Sequence, residues 1–261
     1  MKKIYFAILT LSIICNSCKK SEENTSATTP TNNTTNEILL RKIVTTNVSS
    51  SVKDSLQYFY DNNNKLIKII SNYVNFSDTL NITRNSNGLV TSFISRNTNR
   101  IYSSVVTIDP ASSHYTSKIG FNNLGERDTI TYVYTANKIT KTLGNLPAIY
   151  NRPNRTITYD NNGNLIKDST LNFVFKRTYD TNVPSVTLGN EIIIYGADEA
   201  GKSAAEENTG TNNVTSQSVI QYGTPGYNFT YVYTYNSENR PATVIEKNGT
   251  VTKSTSIFYY Q

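Results

Sequence analysis

From Glu37 to Gln261 apolar and polar residues alternate in short runs, the period of half-buried strands. Leu56-Gln57-Tyr58-Phe59-Tyr60 leads into Asp61–Asn64 and returns as Leu66-Ile67-Lys68-Ile69. Leu80–Arg84 leads into Asn85–Gly88 and Val90, Ile119-Gly120-Phe121 into Asn122–Gly125, and Ile157–Tyr159 into Asp160–Gly163 and Leu165. Tyr231–Tyr235 leads into Asn236–Asn239, and Tyr134–Asn137 and Tyr179–Asn182 are shortened versions. In the full units Gly or Asn stands four residues after the anchor, at Asn64, Gly88, Gly125, Gly163 and Asn239. A type I turn closing into a bulge needs positive φ there, which Gly and Asn tolerate best. The pattern predicts an all-β domain over 37–261, an antiparallel hairpin meander curved into a roll or barrel-like sheet. Closure would hide the edges that an open sheet leaves sticky. Tyr-rich strand faces would fill the interior, with hydroxyls reaching the rim or water. Residues 196–217 break the alternation and are expected to form a mobile insertion.

Composition narrows the function classes. Hydrophobic residues make up 37% of the chain, Tyr is abundant at 19 and Trp is absent, a balance of strands and turns rather than helices. The net charge of +6 is interspersed and falls once Lys2 and Lys3 are removed, which argues against a nucleic-acid partner.

Lys2 and Lys3 precede an apolar run from Ile4 to Ile14 and then small residues, the order of an export signal. The run is shorter than the roughly 20 apolar residues of a permanent span. Cys15 and Cys18 both lie at its end, so the body can hold no disulfide framework. Leu11–Ile14, Ser17 and Cys18 resemble the lipobox of bacterial lipoproteins, with Cys15 a departure at the −3 position. That resemblance implies a signal peptide over 1–17, lipidation of Cys18, and a membrane partner through the lipid anchor. Residues 18–36, rich in Thr, Asn and Ser, have no apolar face to bury and read as a flexible tether. Lys19-Lys20-Ser21-Glu22-Glu23 is similar to the surface-export signal of Bacteroidetes-type lipoproteins, which implies display at the outer membrane and cell surface.

The hairpin units, with Tyr60-Asp61, Tyr159-Asp160 and Tyr179-Asp180, resemble the YD repeats of Rhs-type proteins and a group of uncharacterised Bacteroidetes lipoproteins. The likeness implies a β-sheet shell and carries over no active site. Asp54-Ser55-Leu56, Asp78-Thr79-Leu80, Asp128-Thr129-Ile130 and Asp168-Ser169-Thr170 resemble the O-glycosylation motif of secreted Bacteroidetes proteins. That would place sugars on Ser55, Thr79, Thr129 and Ser169; alternatively the motif is the turn that opens each strand. Both readings expect exposure.

Candidate chemistry is sparse. Gly196–Ser203 fits the G-x-x-x-x-G-K-[ST] pattern, but Asp198 and Glu199 would put negative charge inside the phosphate cradle. The following segment is also too short for the required helix, so no nucleotide is expected. His114 is the single histidine and has no partners for a metal site or triad. Asp198/Glu199 and Glu206/Glu207 are adjacent carboxylates in a polar stretch, where solvation is the default. No catalysis, cofactor or metal is expected, a carboxylate-pair glycosidase being the remaining enzyme class. The expected function is a non-catalytic surface lipoprotein that binds a glycan or an envelope protein, or else a purely structural envelope component.

Overall fold

The computed structural model describes residues 38–97, 101–125, 127–135, 138–144, 155–170, 173–184 and 212–261. Among them sixteen strands follow one another along the chain. The first five are β1 (Leu40–Asn47), β2 (Lys53–Tyr60), β3 (Leu66–Asn72), β4 (Ser77–Arg84) and β5 (Val90–Arg96). Then come β6 (Ile101–Ile108), β7 (Tyr115–Asn122), β8 (Arg127–Thr135), β9 (Lys138–Gly144), β10 (Arg155–Tyr159) and β11 (Leu165–Ser169). The last are β12 (Phe173–Tyr179), β13 (Val214–Gln221), β14 (Thr224–Tyr235), β15 (Pro241–Asn248) and β16 (Val251–Tyr260). Every strand pairs antiparallel with its sequence neighbours, and β1 pairs with β16, so the sheet is a closed barrel. Leu39 and Gln261 exchange both backbone hydrogen bonds at 3.0 Å and finish the seam. Strand β13 begins at Val214, so the stretch 214–217 belongs to the sheet, and the expected insertion over 196–217 is corrected at its C-terminal end. Its remaining part up to residue 211 lies outside the described residues.

The meander gives the barrel two unlike rims. The turns at 61–65, 85–89, 160–164 and 236–240, together with Leu39 and Gln261, lie on one rim, called here the Asx rim. The turns between β1 and β2, β3 and β4, β7 and β8, β13 and β14, and β15 and β16 lie on the far rim.

Alternation sorts the two faces. On β8, Ile130, Tyr132 and Tyr134 turn inward while Thr131, Val133 and Thr135 are exposed. A round sixteen-strand barrel leaves an aqueous lumen. Here Leu40, Val90, Tyr115 and Ile130 are at most 1% exposed, and thirteen buried residues from β1 to β9 form one apolar cluster. The inward face of β1 to β9 is therefore packed as an apolar core. Lys118, 3% exposed, lies in it with its ammonium 5.4 Å from the Phe93 ring and 5.8 Å from Tyr102.

Charge is sorted as well. Among the described strand residues Asp54, Asp78, Asp168 and Glu246 fall on the inward face, while Lys42, Lys68, Lys167, Lys176, Lys247 and Lys253 fall on the outward one. Thr and Ser fill much of the rest of the outer wall, with side-chain pairs such as Thr234–Thr243 at 2.7 Å.

Candidate functional site

The Asx rim shows what the repeat does. Asp61 Oδ1 accepts from the backbone N–H groups of Asn63 and Lys65, each at 2.9 Å. Asp160 does the same for Asn162 and Asn164, Asn85 for Asn87 and Leu89, and Asn236 for Glu238 and Arg240. A side-chain oxygen one residue past the strand thus satisfies two turn donors at once, which is why this place takes Asp or Asn. Asn64, Gly88, Gly125, Gly163 and Asn239 stand at φ of 60°, 78°, 80°, 81° and 59°. The register slips by one residue at Tyr60, Arg84, Tyr159 and Tyr235, as a bulge requires.

Several rim side chains have a second task. Tyr60 OH donates to the carbonyl of Leu40 (3.0 Å), Arg84 Nε to Leu66 (3.1 Å), Tyr179 OH to Leu165 (2.7 Å) and Tyr260 OH to Pro241 (2.8 Å). Each acceptor is the first residue of the strand opening on that rim one step earlier. The tyrosines were expected to send their hydroxyls to the rim or to water; these three reach the rim, where they tie one hairpin to the hairpin before it. Tyr235 OH donates to the Asp180 carboxylate, which also accepts from the Asn182 and Asn213 backbones. Burial, followed by Asp180, pushes the Tyr235 phenol up to about 12, and burial does the same for Tyr134. The Ser112 hydroxyl, then the Ala111 N–H, holds Asp109 below the usual carboxylate range.

Gly125 belongs elsewhere. Its turn closes β7 onto β8 at the far rim, and its anchor Phe121 is on the outer face, 41% exposed. His114 stacks on Tyr134 with centroids 4.2 Å apart, at the Asx rim. Ser55, Thr79, Thr129 and Ser169 are half-buried positions on the outward face of β2, β4, β8 and β11. They do not open strands as turns; Ser169 Oγ donates to the Thr156 carbonyl across the sheet. Nor are their aspartates uniformly exposed, since Asp168 is 2% exposed. In Asp54-Ser55, Asp78-Thr79 and Asp168-Ser169 the strand turns Asp in and the hydroxyl out. Cys18 and the Gly196–Ser203 motif lie outside the described residues. Among the described residues no group of three or more His, Cys, Asp or Glu side chains converges as a metal site.

The far rim is the open end. On β12, β14 and β15 the inward Phe173, Phe175, Phe229, Tyr231 and Glu246 are only half-buried, whereas Leu165, Val214 and Pro241, at the Asx-rim starts of β11, β13 and β15, are buried. Phe173 and Phe175 stack at 6.4 Å with planes 16° apart, Tyr222 meets Phe173 at 5.9 Å, and Tyr227 stacks on Phe229 at 6.1 Å and 27°. Tyr222 and Tyr227 are 69% and 60% exposed, so the mouth has an aromatic lip open to water. Polar groups line the wall beside it. Arg177, Gln217, Phe229 and Asn248 share one row across four strands, and Arg177 Nε donates to Gln217 Oε1 at 2.8 Å. Glu246 Oε2 accepts from Ser254 Oγ at 2.8 Å. Near-parallel rings beside amide and carboxylate groups are surfaces on which a sugar ring can stack and hydrogen-bond. Sequence reasoning missed this site; the one signal was the run Thr224–Tyr235, where aromatics recur at every second residue from Tyr227.

No family model matches the chain, and no curated protein matches it. Among solved structures it is similar to a porin-like protein from Bacteroides uniformis. That match has 13% identity and a TM-score of 0.52, and it covers 85% of this chain and 98% of the other. A porin-like protein from Bacteroides vulgatus also matches, at 13% identity and a TM-score of 0.45, over 86% of this chain and 99% of that one. At such identity the first likeness establishes a shared barrel fold and nothing about activity.

Proposed function

We propose that the chain is a non-catalytic envelope protein, held at the membrane by lipid on Cys18, whose barrel stands in water and binds a saccharide on its aromatic lip. The observation that carries the reading is the polarity of the wall. A barrel that crosses a bilayer presents an apolar band outward and a polar interior. Here the core is inside, and Lys68, Lys167 and Lys176 sit outward near the middle of their strands. Each would cost about 2–4 kcal/mol at a bilayer midplane. A filled, lysine-studded barrel is neither inserted nor a channel, so its work is done at a surface. The lip at β12–β14 combines the most open aromatic rings with adjacent hydrogen-bonding groups.

The test is a calorimetric screen of residues 19–261, which hold every strand, against soluble envelope and plant polysaccharides. Saturable binding to one class is expected, with Tyr222→Ala and Tyr227→Ala each weakening it about two- to tenfold, the range of one aromatic contact. A blank against all of them, with the fold intact by circular dichroism, returns the protein to a structural role.

A further inference from the structure

The two rims differ in more than openness. Among the described residues, the Asx-rim turns built on Asp61, Asn85, Asp160 and Asn236 carry one apolar residue, half-buried Leu89, and Val183 is the one strongly exposed large apolar residue in the Asx-rim connections. At the far rim the pattern reverses. Val48, Val74, Leu124, Tyr222 and Val251, at or beside five different far-rim turns, are 53%, 60%, 72%, 69% and 56% exposed. Nothing in the polar mechanics of a tight turn calls for a large apolar tip. A structural role would bury these side chains, and they are not buried.

Outside these tips stands a belt of positive charge. Lys53, Arg96, Arg127 and Lys253 are exposed at or near the far-rim ends of β2, β5, β8 and β16. Arg127 lays its guanidinium 5.7 Å from the Phe121 ring, an arrangement that keeps an apolar ring and a cation together at one level. Among the acids of this end whose side chains are described, Asp54, Asp78, Asp168 and Glu246 face the interior, with Asp78 and Glu246 engaged by Ser95 and Ser254. Among the described strand residues whose side chains are placed, none on the outer wall is acidic.

We infer that the far rim is a docking rim for an anionic lipid surface. The spacing of the tips selects this occupant over a protein. They are single side chains on separate turns, whereas a stable protein partner needs about 800 Å² of contiguous complementary surface on each side. A fluid headgroup layer accepts separate apolar tips, and cations flanking them draw the rim toward phosphate groups at about 1 kcal/mol apiece. The inference does not need the saccharide reading, although Tyr222 belongs to both surfaces. A sugar held at the lip of a docked rim would be one borne on the lipid itself.

The experiment is co-sedimentation of residues 19–261, which lack the lipidated cysteine, with phosphatidylglycerol vesicles and with phosphatidylcholine vesicles. Neither lipid carries a sugar, so failure of the saccharide reading leaves the result untouched. Binding to the phosphatidylglycerol vesicles is expected, weakening as salt rises. Lys53→Glu and Arg127→Glu should each lower it about fivefold or more, and the double variant Val74→Asp with Leu124→Asp should abolish it. Val183→Asp, on the Asx side, should leave it unchanged. All of these positions are exposed, and unchanged circular dichroism confirms the fold of each variant. Absence of binding to the phosphatidylglycerol vesicles, or equal binding to the phosphatidylcholine ones, overturns the inference. So does binding that survives Val74→Asp with Leu124→Asp, or loss with Val183→Asp. Self-association in solution that those two tip substitutions remove would overturn it too, because the rim would then serve a second copy of the chain.

Discussion

The tyrosine hydroxyls on the Asx rim are the smallest parts of this fold with an assignable task. Tyr179 donates to the Leu165 carbonyl at 2.7 Å, so Tyr179→Phe removes one hydrogen bond. A loss of about 1 kcal/mol is expected in urea unfolding, and Tyr260→Phe should match it. Ionisation gives a second view of the same end of the barrel. Burial raises the phenols of Tyr134 and Tyr235 to about 12, against about 10 in an unfolded chain. The folded state therefore holds these protons more tightly than the unfolded one. Their contribution is complete below pH 10 and is lost as pH rises toward 12. The melting temperature should be level from pH 7 to 9 and fall above 10, in step with phenolate absorbance, and less steeply in Tyr235→Phe. The anchor tyrosines were legible as a spacing. Their partners were not, because the acceptor lies 14 to 20 residues back and is reached only once the register is set.

At the level of the hairpin, the turn needs one backbone angle and one side-chain oxygen. Gly88 stands at φ +78°, and a Cβ there would meet only Lys65 Cε at 3.8 Å, so room is not the obstacle. Gly88→Ala should still cost about 1 kcal/mol through conformation alone. Asn64→Gly, at the same position of another turn, should change stability by less than about half of that. Urea titration of the two variants side by side measures the difference. The angle could be foreseen from Gly and Asn four residues past the anchor, because the turn is a local event. Which rim a turn occupies could not be foreseen from that spacing, since both rims use the same mechanics. Phe121 held the clue: it cannot donate a hydrogen bond as Tyr60, Arg84 and Tyr179 do, and it faces outward. The reading of the Asp-Ser/Thr tripeptides as turns fails for a related reason. A strand that alternates in and out generates them without any turn.

For the whole molecule, the filled interior carries the plainest expectation. Residues 19–261 added to a planar bilayer should produce no ion conductance, and stepwise conductance would overturn the reading of the interior as a core. A meander was visible in the sequence because each hairpin is specified locally. Neither the number of strands nor the closure was visible, for the seam joins residues 40 and 260 through no motif of its own. The aromatic lip was hidden likewise, being assembled from Phe173, Tyr222 and Tyr227 on separate elements. The sequential pairing has one more consequence. Leu39 and Gln261 meet at the same rim, so the ring can close only on an even number of strands. Each hairpin touches its two neighbours and answers to its own turn, so a duplicated or deleted hairpin would change the girth of the ring without rewriting any local instruction. Kindred chains are then expected to differ in length by whole hairpins, in steps of two strands, while a single lost strand would leave two edges with nothing to join.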